Sequence, residues 1–408
     1  MKIDPEKHGW MTAPETRAVM AALGDARFVG GAVRNAILGA PVIDIDIAVP
    51  LPPGEAQKRL EAAHIKVVPT GFDHGTVTAI LGNRVFEVTS LRRDIATDGR
   101  HAVVSYTSDW AEDAARRDFT MNALYAGQGG EIFDYEGGVE DLTAGRVRFV
   151  GDAATRIKED YLRILRLFRF HAWYGRGDID DAALRAAADA KAGLKQLSGE
   201  RIAKELLRLL ECPNPMPVLR VMAASGILPE LLPGALQLAR LEHLVHLDAD
   251  NLLIPDGLLR LAALLPEDAK IAREVAERLK LSNADRTRLE DLTGAEEKIV
   301  SYLPLPEVRK LLYRIGTAPF RDRVRLRWAA SPRGAGAIPW RMLLSVAESW
   351  ERPRFALAGR DVMAAGVPEG PRVGRILDRI EQEWIDSDFT LDDAALAARL
   401  KDIARDAQ

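Results

Sequence analysis

The chain has one cysteine, Cys212, among its 408 residues, so no intrachain disulfide can form. That scarcity suits a reducing compartment and points to the cytoplasm. No apolar run approaches the ~18 residues of a membrane helix, and no membrane partner is expected. The N-terminal MKIDPEKHGW has no apolar stretch behind its charges and does not read as a secretion signal. Fixed-period repeats and low-complexity tracts are missing. So is an excess of positive charge: the net charge is −4 and the pI is near 6.1. A protein that holds nucleic acid by diffuse charge is usually basic. Any such partner would have to be gripped by local patches on a mildly acidic body. What is present is an ordinary globular composition, 47% hydrophobic and 28% charged, long enough for about two to four domains.

Strand signals crowd into the first 150 residues. Phe28 and Val29 lead into Gly30 and Gly31, Val42 to Val49 alternate, and Val77 to Leu81 and Arg84 to Thr89 flank a Gly82-Asn83 turn. Helices are expected after Gly31 and around 112–125. Beyond Gly151 nearly every segment has helical periodicity, broken by Pro and Gly clusters at 212–215, 231–234 and 331–336. The expected fold is α+β: a mixed sheet with helices at 1–150, then an all-helical remainder.

In VIDIDIAV, period-two alternation sends Ile43, Ile45 and Ile47 to one face and Asp44 and Asp46 to the other. Two carboxylates about 7 Å apart along a strand can converge on one hard cation. A solvent-facing strand with incidental acids has the same pattern. Context argues for the cation. Gly30-Gly31 ends a strand and opens a helix, where bare backbone N–H groups favour a phosphate. Arg34, one turn on, can add a charge-assisted bond. Glu87, outward in VFEVT, is a third acid for a two-metal site; as an edge gatekeeper it would be equally at home.

The run GGAVR, a short helix and D-x-D resembles the nucleotidyltransferase superfamily of DNA polymerase β. More narrowly it is similar to class II tRNA nucleotidyltransferases (CCA-adding enzymes) and bacterial poly(A) polymerases. Asn35 departs from the family's usual Asp and is read as structural. The resemblance implies a polymerase β-like head at 1–150, a helical neck at 151–210, a body at 211–330 and a tail at 331–408. It implies catalytic Asp44, Asp46 and Glu87, with Asp44 and Asp46 holding Mg²⁺, and Gly30, Gly31 and Arg34 at the nucleotide.

Arg116 to Ala123, RRDFTMNA, resembles a second family box. Adjacent arginines at a helix start offer donors to a triphosphate, with Asp118 orienting them and Arg117 making the phosphate contact. Glu159 to Phe170, EDYLRILRLFRF, resembles the motif that selects the incoming nucleotide. Steps of three turn a helix by about −60°, so Asp160, Arg163 and Arg166 form a slowly turning stripe. Asp160 beside Arg163 presents an acceptor next to donors. That complements cytosine and adenine, and it opposes the carbonyls of uracil and guanine. Arg169, on the other side of the helix, is expected to reach phosphates or neighbouring acids. A core helix with snorkelling arginines is the plainer alternative, because Leu162, Leu165 and Phe168 form an apolar stripe.

The polar segment 91–106 resembles the family's flexible loop, with Asp94 and Arg100 as its acid–base pair; a solvated surface loop would read the same. The resemblance implies tRNA as partner, CTP and ATP as substrates and no DNA. It leaves monomer or homodimer open. The chain ends without a basic extension and carries TGFDHGTVTAI after D-x-D, which favours CCA addition over poly(A) synthesis. CC-only or A-only transfer and a non-catalytic RNA-binding protein remain alternatives. No His-Asp dipeptide occurs, so His243 and His246 read as ordinary helix residues. Arg309, Lys310, Arg314, Arg321, Arg323, Arg325 and Arg327, with the glycine turns at 359 and 366–374, are the candidate RNA grips. A helical hairpin shaped by Gly and Pro is the alternative for those turns.

Overall fold

A computed structural model of the chain describes residues 1–72, 75–98, 101–294, 299–332 and 336–405, with backbone only at 94–98 and 101–104. Two compact units emerge: Met1–Gly234 with Glu277–Leu281, and Ala235–Ala276 with Ser282–Gln408.

The first unit holds every described strand. β1 (Arg27–Val29), β2 (Ile45–Val49), β3 (Lys66–Val68), β4 (Thr76–Leu81), β5 (Arg84–Ser90), β8 (Leu124–Ala126) and β9 (Ile132–Asp134) form a seven-stranded mixed sheet in the order β3-β4-β5-β2-β1-β8-β9. β2 and β5 are parallel, with Asp46 opposite Glu87; the neighbouring pairs are antiparallel. Alternation fixes the faces, as expected for a half-covered sheet. Ile45 and Ile47 are buried, as are Phe86 and Val88, while Asp46 and Glu87 lie on the open side. Gly82, at φ +57°, supplies the left-handed step of the two-residue β4–β5 turn.

Segment 91–106, read as a loop, is a separate antiparallel hairpin of β6 (Arg92–Asp98) and β7 (His101–Tyr106), with a register shift between Asp94 and Ala96. Its polarity hid strands that pair only with each other. The helix expected over 112–125 is shorter, Trp110–Ala115, followed by a 3₁₀ turn at Thr120–Asn122 and then β8. Past β9, the described elements of both units are helices. Within the first unit, helix Leu162–Tyr174 buries Ile164, Leu167 and Phe168 and packs against Gly199–Leu210.

The second unit is helical throughout its described residues. Asp248, on helix Leu238–Asp250, is buried between Arg260 and Arg325, at 3.1 and 2.5 Å. A second core gathers Tyr313, Val362, Ile380, Trp384 and Leu400.

Candidate active site

The site is built on the β2–β5 seam. Asp44 sits in the bend entering β2 and is exposed; Asp46 lies one pleat inside; Glu87 stands across the seam, exposed. Burial, then Glu87, and beyond the opposing pull of Arg117 also Asp44, push the Asp46 carboxyl up to about 6. A carboxyl raised by burial and neighbouring acids marks a candidate functional site, and a nearby cation would favour its charged form.

Arg117 supplies positive charge from the next element. It follows helix Trp110–Ala115 rather than starting one, because Asp113 draws both arginines back over the helix C-terminus. Asp113 is fully buried. One of its oxygens accepts from Arg116 Nε and Nη2 (2.8 and 2.7 Å), the other from Arg117 Nε and Nη2 (3.2 and 2.8 Å) and from the Tyr125 hydroxyl (2.7 Å). Burial pushes this carboxyl up, but Arg117 and Arg116 outweigh it and hold it down at about 2. Arg117 Nη1 is left over. It lies 3.9 Å from where a Cβ on Gly30 would sit, and Arg117 acts electrostatically on Asp46. Gly30, at φ +66°, takes a conformation that side chains disfavour, so the backbone approaches that guanidinium closely.

Residues 26–148 match the family description "Poly A polymerase head domain", and residues 178–238 match "Probable RNA and SrmB- binding site of polymerase A". "CCA tRNA nucleotidyltransferase 1, mitochondrial" of Mus musculus is 33% identical, covering 92% of this chain and 86% of the relative. The chain belongs to the CCA-adding tRNA nucleotidyltransferase family. A CCA-adding enzyme of Lacticaseibacillus paracasei is 30% identical over 94% of both chains. The crystal structure of the Bacillus stearothermophilus CCA-adding enzyme in complex with CTP superposes with a TM-score of 0.74 at 27% identity, covering 97% of this chain and 99% of that one.

Membership in this nucleotidyltransferase family implies a divalent metal. Among the described residues no three acid, histidine or cysteine side chains are grouped so that they could hold a metal ion. That fits a hard cation held by few carboxylates, with phosphates and water filling its other positions. The half-buried, charge-crowded Asp46 is the local observation that such an ion would relieve.

The remaining family boxes interlock differently from the sequence expectation. Arg34, read as a phosphate ligand, is only 7% exposed. Of the five N–H groups of a guanidinium, four point at protein: to Asn122 (2.6 Å), Tyr174 (2.9 Å) and twice to Asn35 (3.2 and 3.1 Å). It therefore ties three motifs together and keeps one N–H for a ligand. Asp118 does not orient Arg116 or Arg117; it accepts from Arg166 at 2.7 Å, from Asn122 and from the Phe119 amide. Burial pushes the Asp118 carboxyl up, yet Arg166 and these donors bring it below the ordinary range.

Nor do Asp160, Arg163 and Arg166 lie on one helix. The chain breaks at Asp160, which is extended (φ −155°) between helices Ala153–Glu159 and Leu162–Tyr174. Its oxygens accept from the Leu162 amide at 3.1 Å and from Arg201 at 2.7 Å. Arg163 pairs with Glu159 and donates to the Arg156 carbonyl. Arg169 meets buried Glu205, a neighbouring acid. Asp113, Tyr125, Arg201 and Glu205 carry no motif of their own in sequence. An acid three residues before an Arg-Arg pair was the one available signal. Arg100 lies outside the described residues, as does the side chain of Asp94.

The cations read as RNA grips are largely engaged within the second unit. Arg309 meets Asp388, Lys310 meets Glu307 and Asp386, Arg314 meets Gln382, Arg321 meets Glu348, Arg325 meets Asp248 and Arg327 meets Glu267. Sequence displayed the cations without the acids facing them. Arg323 lines a cavity of about 510 Å³ beside Asp322 and Arg288.

Proposed function

We propose that this chain adds CCA to the 3′ end of tRNA from CTP and ATP without a nucleic-acid template, using Mg²⁺. The observation that carries this reading is the pairing of Asp46 with Glu87 across β2 and β5, faced by Arg117. Asp44 and Asp46 would hold the metal, with Glu87 completing the carboxylate set. Bound there, Mg²⁺ supplies charge neutralisation of the triphosphate and a more acidic 3′-hydroxyl. The 3′-oxygen bonds to the α-phosphorus as the bond to pyrophosphate breaks.

Arg117 Nη1 and the Gly31 N–H, opened by the turn at Gly30, donate to the triphosphate, and the hub at Asp113 keeps that guanidinium pointed. Asp160 and Arg163 read the base edge. Each is paired inside the protein, to Arg201 and Glu159, so reading a base means exchanging one charged partner for a hydrogen-bonding edge. Uracil offers Asp160 a carbonyl in place of a donor, leaving buried acceptors unpaired. Arg166 and Arg169 brace the site through Asp118 and Glu205. Residues 1–150 act as catalytic head, 151–210 as neck, 211–330 as body and 331–408 as tail, with Asp94 and Arg100 in the segment that adapts between C and A. The lone cysteine fits a cytoplasmic setting.

The test uses purified protein, Mg²⁺, labelled CTP or ATP, and tRNAs lacking one, two or all three terminal nucleotides. Ordered restoration of CCA is expected. A-tails on any RNA would replace this reading with poly(A) synthesis, and binding without incorporation would leave only an RNA-binding protein.

A further inference from the structure

A cavity of about 650 Å³ joins the catalytic carboxylates to a wall that none of the family boxes accounts for. One side carries Asp44, Asp46 and the neighbouring Ile43, which is 87% exposed. The other side carries Trp173 from helix Leu162–Tyr174, with Lys204 and Arg208 from Gly199–Leu210. Trp173 is 41% exposed, although its indole N–H is satisfied by the Arg208 carbonyl at 2.8 Å. Its orientation is thus fixed by an edge, while part of the ring stays uncovered.

Lys204 and Arg208 are one helical turn apart and both exposed. Lys204 has no hydrogen-bond or ion-pair partner among the described residues. Arg208 meets Glu211 at a loose 3.4 Å. Glu205, the acid next in sequence to Lys204, is buried against Arg169 and does not neutralise it.

We propose that Trp173, Lys204 and Arg208 are positioning residues for the unpaired 3′-terminal segment of the RNA acceptor in this cavity. Trp173 stacks on a base, Lys204 and Arg208 take the flanking phosphodiesters, and the terminal hydroxyl is delivered to Asp44 and Asp46. An aromatic face beside cations that track a backbone is how single strands are held. A polyphosphate gives a ring nothing to stack on, and Arg117 beside Gly30 already faces the triphosphate. The inference rests on the transferase reading only for the identity of the RNA.

The test compares full-length protein with a Lys204→Ala/Arg208→Ala double variant, Trp173→Ala and Trp173→Phe. Direct binding of an acceptor-stem RNA with an unpaired 3′ end is measured without nucleotide, alongside KM for that RNA and for CTP. The double variant is expected to weaken RNA binding and raise its KM by about tenfold, with a reduced salt dependence, while KM for CTP changes less than about twofold. Trp173→Ala should weaken RNA binding by about five- to tenfold, and Trp173→Phe, which keeps a ring but loses the N–H, should restore most of it. A rise in KM for CTP with RNA binding intact would assign the wall to the triphosphate and overturn the proposal. Unchanged RNA binding in the double variant would overturn it as well, and equal losses in both Trp173 variants would remove the stacking. Wild-type protein that binds this RNA through these residues yet incorporates nothing would sink the transferase reading and leave the subsite standing.

Discussion

Asp113 holds two arginines and a tyrosine with two oxygens, and its chemistry is indirect. Replacing it with Asn leaves Arg117 charged but free to swing. Asp113→Asn is expected to raise KM for CTP and ATP by about tenfold, and steady-state kinetics with saturating RNA check this. The same carboxyl carries a pH signature. Its pKa is lowered from an ordinary 3.8 to about 2 in the folded protein. The stability it contributes is therefore present above about pH 4 and is lost as pH falls toward 2. Thermal melts from pH 2 to 7 should show that acid-limb slope in the wild type and a shallower one in Asp113→Asn. Asp160 is the complementary case. Asp160→Ala should admit UTP while leaving triphosphate affinity largely intact, and continued exclusion of UTP would count against base reading by that carboxylate.

At the scale of elements, alternation in VIDIDIAV located Asp46 and its face, because a strand with one buried side writes its period into the sequence; Ile43, expected beside Ile45 and Ile47, is exposed with Asp44 ahead of β2. The break at Asp160 was not legible in that way. Apolar spacing continues through Glu159 to Phe170, and only the extended φ of Asp160 and its bond to Arg201, 41 residues on, separate the two helices. The arginine box was likewise visible as chemistry and misplaced as structure, since its anchor Asp113 is an acid among many until burial singles it out. The turn at Gly30 offers a direct check. Gly30→Ala would force a side chain into φ +66° beside Arg117 Nη1. It should cost about 1–2 kcal/mol in stability, read by denaturant titration, together with a clear fall in turnover.

For the molecule as a whole, the first unit does not stop where strand signals end. Arg34 is fastened to Tyr174, Asp118 to Arg166, and Arg156 Nη2 bonds the Arg117 carbonyl at 2.7 Å. A chain cut after residue 150 takes Arg166 from buried Asp118 and Tyr174 from buried Arg34. It is expected to lack the sharp, dispersed amide spectrum of the full-length protein. In the second unit, Asp248→Ala removes the buried carboxylate that Arg260 and Arg325 share, at about 3–5 kcal/mol. Calorimetry should record a transition lowered by roughly 6–20 °C.

The turn at Gly82-Asn83 sets how β5 lies against β4, and through β5 it sets what stands opposite Asp46. Adding one residue there would slide the strand by a single step and exchange Glu87 for Phe86 on the open face. Every chemically competent side chain would survive in such a chain, yet a benzene ring would stand where the third acid belongs. Two residues with no reactive group thus act as the gauge block of this enzyme, and length variation at that hairpin should be tolerated far less than substitution.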